Sequence, residues 1–257
     1  MSQSWLTDTT AALLALQTFP FWMPHAGSLH ALAIDSLMRV SLLALAAAGI
    51  LAQIILLAGL FLPREQRSRF SPASRWIATA VFAMCMVWMT VVAENLWSTI
   101  RLTHAAPNAV QVEVTGVQFE WYFRYPGVDG TYGATKPDLV DPAGGNPLGL
   151  DPADPNSHDD IVSSVLELPV DQQAEIRLHA QDVIHGFFIP GMRVMQNATP
   201  GMSTQIHITP TRLGDYAIIC SQLCGLGHYR MHAVLRVVSQ QDFATWRALH
   251  QAAVKGK

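Results

Sequence analysis

The chain has 257 residues, half of them hydrophobic, with 16 basic and 19 acidic side chains and a formal net charge of -3. That length holds one membrane anchor region and one domain of ordinary size, and a charge so close to neutral gives no footprint for a nucleic-acid partner. The hydrophobic excess is concentrated in the first hundred positions, which suggests a membrane anchor.

Residues 11 to 23 are apolar but too short to span a bilayer. No Lys or Arg precedes Arg39, so the basic lead of a secretory signal is missing, and residues 1–38 are expected as an extracytoplasmic segment rather than a cleaved signal. His25 and His30 read as surface or interface histidines. From Val40 to Leu62 the chain runs 23 residues without a charge. At about 1.5 Å per residue that run crosses a hydrocarbon core of roughly 30 Å. A second uncharged run, Trp76 to Ala93, reaches span length with Asn95 to Ile100 if Glu94 lies near an end. Residues 39–100 are therefore expected as a two-span transmembrane hairpin. Its connection, PREQRSRFSPASR, carries Arg64, Arg67, Arg69 and Arg75 against Glu65 alone, and the positive-inside rule places it in the cytoplasm with both termini on the other side. Cys85, inside the second run, reads as an inert packed thiol.

Beyond Arg101 the texture changes to short β-prone runs broken by Gly, Pro and Asp. Strands are expected near 110–115, 118–125, 162–168, 174–180, 203–209, 214–219 and 232–238, a count that fits a Greek-key β-sandwich over residues 101–238. In the tail, 239–257, Ser239 is placed to cap a short helix whose Phe243, Trp246 and Leu249 recur at helical spacing, a stripe read as packing. QFEWYFRYPG at 118–127 is dense in aromatics, and the two-residue strand period puts Phe119 and Trp121 on one face. The stretch 126–160 holds seven aspartates against Lys136 alone, about -6 in charge. It reads either as solvated surface or as a docking face for a cationic partner, with Asp151, Asp154, Asp159 and Asp160 as its candidates.

The densest chemistry lies at 220–231, CSQLCGLGHYRM, which sets two thiols, an imidazole and a thioether within twelve residues. Thiolates with imidazole favour copper or zinc, and a thioether at ligand spacing tilts the choice toward copper. Cysteines four apart also suit a disulfide, and a lone Met suits a core. A copper-free fold, however, has no physical need for the whole set at these intervals.

This loop resembles the CuA loop of subunit II of haem-copper oxidases: Cys, any, Glu, any, Cys, three more, His, two more, Met. DVIHGFFIPGMRV at 182–194 is similar to the segment that supplies that family's second histidine, here His185, thirty-five residues before Cys220. The similarity extends over nearly the whole chain, through two hydrophobic spans, the aromatic segment and a β-rich C-terminal domain. It implies a membrane-anchored, cupredoxin-like Greek-key sandwich with a binuclear copper centre. In that centre the sulfurs of Cys220 and Cys224 bridge two coppers, His185 and Met231 complete one, and His228 and the backbone carbonyl of Gln222 complete the other. It further implies that electrons come from cytochrome c or a similar donor and pass to haem in a catalytic subunit I that reduces oxygen. The setting implied is a bacterial cytoplasmic membrane with the copper domain on its periplasmic side.

The family keeps an exposed tryptophan in the aromatic segment as the point where electrons arrive. Phe119 holds the first matching position here and Trp121 stands two residues on, so either is a candidate for that role, with burial in the sandwich core as the alternative reading of both. Gln222 replaces the family's usual Glu, whose carboxylate is associated with a magnesium ion at the contact with the catalytic subunit, so that ion is expected to bind weakly or not at all. The family's proton-uptake glutamate sits at the cytoplasmic start of the second span, whereas Glu94 lies about 27 Å farther along a helix. A quinol oxidase subunit II lacks the copper ligands, and a copper chaperone lacks a two-span anchor. A CuA-bearing subunit of a nitric oxide reductase carries the same domain and is the alternative reading.

Overall fold

The computed structural model describes residues 23–61, 72–101 and 105–255. The apolar stretch up to residue 22 and most of the arginine-rich connection, 62–71, lie outside the described residues, and so do the expectations placed on them. Two helices come first, α1 (Leu29–Phe61) and α2 (Pro72–Arg101). Within them Leu29–Ala58 and Trp76–Ile100 are long and apolar enough to cross a membrane. Helix α1 starts eleven residues before the uncharged run because a cap is available there. The buried Ser28 Oγ accepts the Ala31 N–H at 3.1 Å and donates to the Met192 carbonyl at 2.9 Å. Cys85 is exposed on α2 rather than packed. A spanning helix turns its apolar side chains outward, where lipid and not water is the solvent.

The chain divides into two compact units, Ala33–Thr103 and the remainder. In the second unit the described residues form ten strands: β1 (Val110–Val117), β2 (Glu120–Tyr125), β3 (Ile161–Ser163), β4 (Val165–Pro169), β5 (Ala174–Ala180), β6 (His185–Ile189), β7 (Val194–Ala198), β8 (Thr204–Ile208), β9 (Gly214–Cys220) and β10 (His232–Val238). They make two five-stranded sheets, in the orders β3-β2-β1-β5-β8 and β4-β10-β9-β6-β7. Pairing is antiparallel except for β1 with β5 and β4 with β10, where the chain crosses over to pair in parallel. The inner faces meet in a core that includes Val112, Phe123, Leu166, Leu178, Phe187 and Leu235, all fully buried.

Three differences from the expected strands have local causes. The run at 162–168 is two strands, because Ser163 Oγ donates to the Val165 carbonyl and accepts the Val165 N–H, turning the chain between the sheets. β3 then pairs β2, and β4 pairs β10. β6 and β7 were not anticipated. HGFFI is buried on both faces and so shows no alternation, while in β7, VMQNA, the apolar and polar residues fall in blocks and do not alternate. The third difference is Phe119, which belongs to the turn joining β1 and β2 and not to a strand.

The C-terminal helix α3 (Gln240–Lys255) is capped as expected, with Ser239 Oγ accepting the Asp242 N–H at 3.1 Å. Phe243 and Trp246 stack with centroids 5.7 Å apart, and Trp246 meets Tyr125 edge-on at 4.9 Å. Leu249, read as part of that stripe, is exposed, because the apolar face of α3 turns away from the sandwich by that point.

Candidate metal centre

Three segments converge at one end of the sandwich: the β9–β10 loop from Ser221 to Met231, the start of β6, and the β1–β2 turn. The loop is closed at its neck by the Cys220 N–H, which donates to the Met231 carbonyl at 3.1 Å. It is hung on β6 by the Ser221 N–H, which donates to the Gly186 carbonyl at 2.9 Å. A single 3-10 turn, His228–Arg230, folds the far limb back toward the cysteines.

This closure brings every expected donor together. The ligand atoms of His185, Cys220 and Cys224 lie within 4.8 Å of one another, and all three residues are buried. The two sulfurs are 3.8 Å apart. Cys224 Sγ lies 3.6 Å from Nδ1 of His228 and 3.8 Å from Sδ of Met231, while Cys220 Sγ lies 3.1 Å from the Gln222 carbonyl oxygen. Gln222 thus turns its carbonyl inward, and the residue is otherwise exposed.

His185 tests whether the set fits a metal. Its Nε2 is 2.7 Å from Oδ1 of Asp182, and its Nδ1 is buried with no hydrogen-bond partner. A carboxylate only accepts, so the proton belongs on Nε2 and Nδ1 keeps a bare lone pair. A buried nitrogen without a partner is costly unless something else completes it, and a soft or borderline metal beside two sulfurs does so. Asp182 itself sits below the ordinary carboxylate range. Burial alone would raise it, but the bonds from His185 and from the backbone N–H groups of Gln118 and Val183 outweigh burial. Burial, with the neighbouring Cys220, pushes the Cys224 thiol up to about 11, so metal uptake here displaces a proton.

The two aromatic candidates separate. Trp121 is 2 % exposed and packs edge-on against His185, with centroids 5.8 Å apart, and against Phe187 at 5.3 Å. It is core and cannot be a surface arrival point. Phe119 is half-buried in the turn, with its ring lying on the loop backbone, where a Cβ on Gly225 or Gly227 would strike it.

The four aspartates proposed for docking are occupied by their own surroundings. Asp160 is buried, ion-paired with Arg124 and bonded by the Gly133 N–H. Burial still raises its carboxyl above the ordinary value. Asp151 pairs with Lys136 at 2.7 Å, Asp154 accepts the N–H groups of Ala134 and Asn156, and Asp159 accepts that of Val128. The exposed aspartates of the segment are Asp129, Asp138 and Asp141.

Sequence reasoning missed four residues that build the site. In the sequence, Asp182 is one residue of the segment that carries His185, and Gln118 is one residue of an aromatic run. Gly116 and Gly186 were not singled out at all. A Cβ on Gly116 would lie 2.8 Å from Cδ2 of His185, and one on Gly186 would lie 2.7 Å from the Gln222 nitrogen. Both close approaches are available only to glycine.

A family model described as the periplasmic domain of cytochrome c oxidase subunit II matches residues 150–238. The alternative cytochrome c oxidase subunit 2 of Bradyrhizobium diazoefficiens is 37 % identical over 141 residues, 54 % of this chain and 50 % of that protein. A probable cytochrome c oxidase subunit 2 of Streptomyces avermitilis is 27 % identical over 98 % of this chain and 85 % of its own length. Among solved structures, the periplasmic domain of cytochrome oxidase subunit II of Bradyrhizobium japonicum aligns with a TM-score of 0.43 at 24 % identity, covering 59 % of this chain and 98 % of that one. Alignments to several of these curated relatives span about half of the relative's length or less. The family match runs through both segments that bear the donor atoms, and the Streptomyces alignment carries the similarity through the helices as well. Over residues 150–238 the chain is similar to the periplasmic domain of cytochrome c oxidase subunit II.

Proposed function

We propose that this chain is the electron-accepting subunit of a respiratory haem-copper oxidase, holding a binuclear CuA centre on His185, Cys220, Gln222, Cys224, His228 and Met231. The observation that carries this reading is the convergence of those donors while the buried Nδ1 of His185 remains without a partner. Copper held by these residues would supply a one-electron acceptor.

The residues of the chain do the rest. β6 and β9, paired side by side, hold His185 and Cys220 on a rigid sheet, and their burial keeps water from the sulfurs. His228 and Gln222 form the more exposed side. Phe119, on the loop backbone, is the aromatic at which an electron from cytochrome c or a similar donor arrives. The acceptor beyond is haem in catalytic subunit I, where oxygen is reduced. The helices anchor the subunit in a bacterial cytoplasmic membrane with the copper domain on the periplasmic side. The nitric oxide reductase alternative is not favoured, since the relatives found carry cytochrome c oxidase names.

The test is metal content and spectrum of the full chain in detergent. Two coppers per chain and an electron resonance signal split by both nuclei are expected, and a stoichiometry of one overturns the reading. Replacing Cys220 or Cys224 with Ser abolishes that signal. Met231→Leu keeps a copper site and shifts its potential. Apparent copper affinity rises with pH, as the Cys224 thiol must lose its proton.

A further inference from the structure

Two residues outside the ligand set connect all three segments of the centre. Asp182 precedes β6, and its Oδ1 faces Nε2 of His185 at 2.7 Å. Its Oδ2 accepts the backbone N–H of Gln118, in the β1–β2 turn, at 2.7 Å. From that same residue the side-chain Nε2 reaches the other way and donates to the Cys224 carbonyl at 2.5 Å. Phe119 follows directly, with its ring on the loop backbone at Gly225 and Gly227.

We infer that Asp182 and Gln118 are positioning residues forming a two-armed clasp, by which the β1–β2 turn sets His185 against Cys224 and selects Nδ1 as the nitrogen His185 offers to metal. The inference rests on the copper reading above. A group that merely filled space here would be replaceable by any side chain of similar shape. The Asp182 carboxylate does something more specific, because an acceptor on Nε2 fixes where the imidazole proton lies and strengthens the ring as a donor at its other nitrogen. Without it, a fully buried Nε2–H loses its partner and the ring has no preferred tautomer. The Gln118 arm fixes the other half: the loop peptide at Cys224 is tied to the same turn that holds Asp182, so the distance between the histidine and that sulfur does not depend on the loop alone.

The clasp is tested first without metal, on the full chain carrying nitrogen-15 histidine. The parent shows His185 protonated at Nε2 and bare at Nδ1. Asp182→Ala loses that preference, and Asp182→Asn, whose carbonyl oxygen still accepts, restores it. After loading with copper, Asp182→Ala binds about 10- to 100-fold more weakly, and its midpoint potential moves upward because the imidazole is a poorer donor to the oxidised state. Gln118→Met keeps the backbone arm but removes the amide donor. It leaves the His185 tautomer at the parent's and changes the proton splittings from Cys224, so the clasp stays open to refutation if Asp182→Ala fails to fold. Asp182→Ala with the parent's tautomer, affinity and potential overturns the inference, and so does Gln118→Met with the parent's splittings. A parent that takes up no copper overturns the copper reading instead, and the tautomer measurement still decides the His185 arm.

Discussion

The metal loop at 221–231 and the acidic segment at 126–160 both connect strands and both concentrate groups able to bind a partner, yet they use them in opposite ways. In the first, donor atoms from different segments point at one another, and the best placed of them, Nδ1 of His185, has no hydrogen bond. In the second, the four candidate carboxylates are bonded or ion-paired within the segment or on the strand beneath it, and only Oδ1 of the ion-paired Asp160 is buried without a hydrogen bond of its own. Asp154 caps a 3-10 turn at Pro155–His158, and Asp160 fixes Arg124 against Gly133. Charge written densely into a sequence is therefore a poor guide to function until the partners of each group are known. A buried nitrogen left unsatisfied beside other donor atoms is the better guide.

The sharpest way to separate the two regions is to break one and watch the other. Arg124 and Asp160 are both almost wholly buried, and removing one partner of such a pair leaves an uncompensated charge in the interior. Asp160→Ala is expected to cost about 3–5 kcal/mol, read as a large fall in the unfolding midpoint of the β unit. The copper signal of the molecules that remain folded stays at the parent's. A variant that kept its stability but lost the signal would show that the acidic segment serves the metal directly.

A smaller effect of opposite character is expected at the glycines beneath the centre. Gly116→Ala sets a methyl group 2.8 Å from Cδ2 of His185 and 3.0 Å from the Trp121 ring, an overpacking worth about 1–3 kcal/mol. Both rings are packed in the core, so the methyl group fits only if His185, the nearer of the two, is displaced from its place in the parent. Copper affinity should fall clearly while the unfolding midpoint falls less than in Asp160→Ala. Equal affinity in Gly116→Ala and parent would mean that the loop, and not the sheet, places His185.

These contrasts explain what was legible beforehand. The spans could be read because lipid demands long uncharged runs. The four candidate side-chain donors of the loop could be read because they stand at close spacing in one short segment, whereas His185 followed only from the resemblance of 182–194 to a family segment. Most strands showed through alternation, but β6 did not, since burial on both faces erases the pattern in HGFFI. Trp121 was misplaced for a related reason. The two-residue period assumes an unbroken strand, and Gln118 and Phe119 form a turn. Asp182, Gln118, Gly116 and Gly186 escaped because their role is a relation between segments distant in the chain, visible only when β1, β6 and the loop are brought together.

The acidic segment still presents charge to solvent at three aspartates, although Asp129 accepts the Thr131 N–H and Asp141 the Gly144 N–H. Asp151 is neutralised by Lys136 and Asp160 by Arg124, whereas Asp129, Asp138 and Asp141 remain exposed. If a basic donor is steered by this face, replacing those three with Asn should flatten the salt dependence of electron arrival more than replacing Asp151 and Asp159. At an ionic strength of roughly 0.15 M the reach of exposed charge is about 8 Å, so the difference should be modest and greatest at low salt. Stopped-flow rates across a salt series measure it. Identical curves for the two variants would return the whole segment to structural cover.

The smallest expected change at the copper, and the most specific test of which part of a residue acts, is at Gln222. Its carbonyl oxygen lies 3.1 Å from Cys220 Sγ and the residue is otherwise exposed, so backbone and side chain serve different sides of the loop. Exchanging amide for carboxylate alters only the outward side. An amide oxygen is a weak ligand for a hard cation, and a carboxylate is a strong one. Gln222→Glu should therefore leave the copper spectrum almost unchanged. It should strengthen manganese binding in the assembled complex grown with manganese in place of magnesium, read by electron resonance of the manganese ion. Met195 and Asn197, both exposed on the neighbouring β7, add no charge to this side of the molecule, so a single carboxylate introduced there would be felt clearly. A parent complex that already holds one tightly bound manganese through this subunit would show that the neutral amide, or some other group, is sufficient, and the proposed separation between the two sides of the loop would fail.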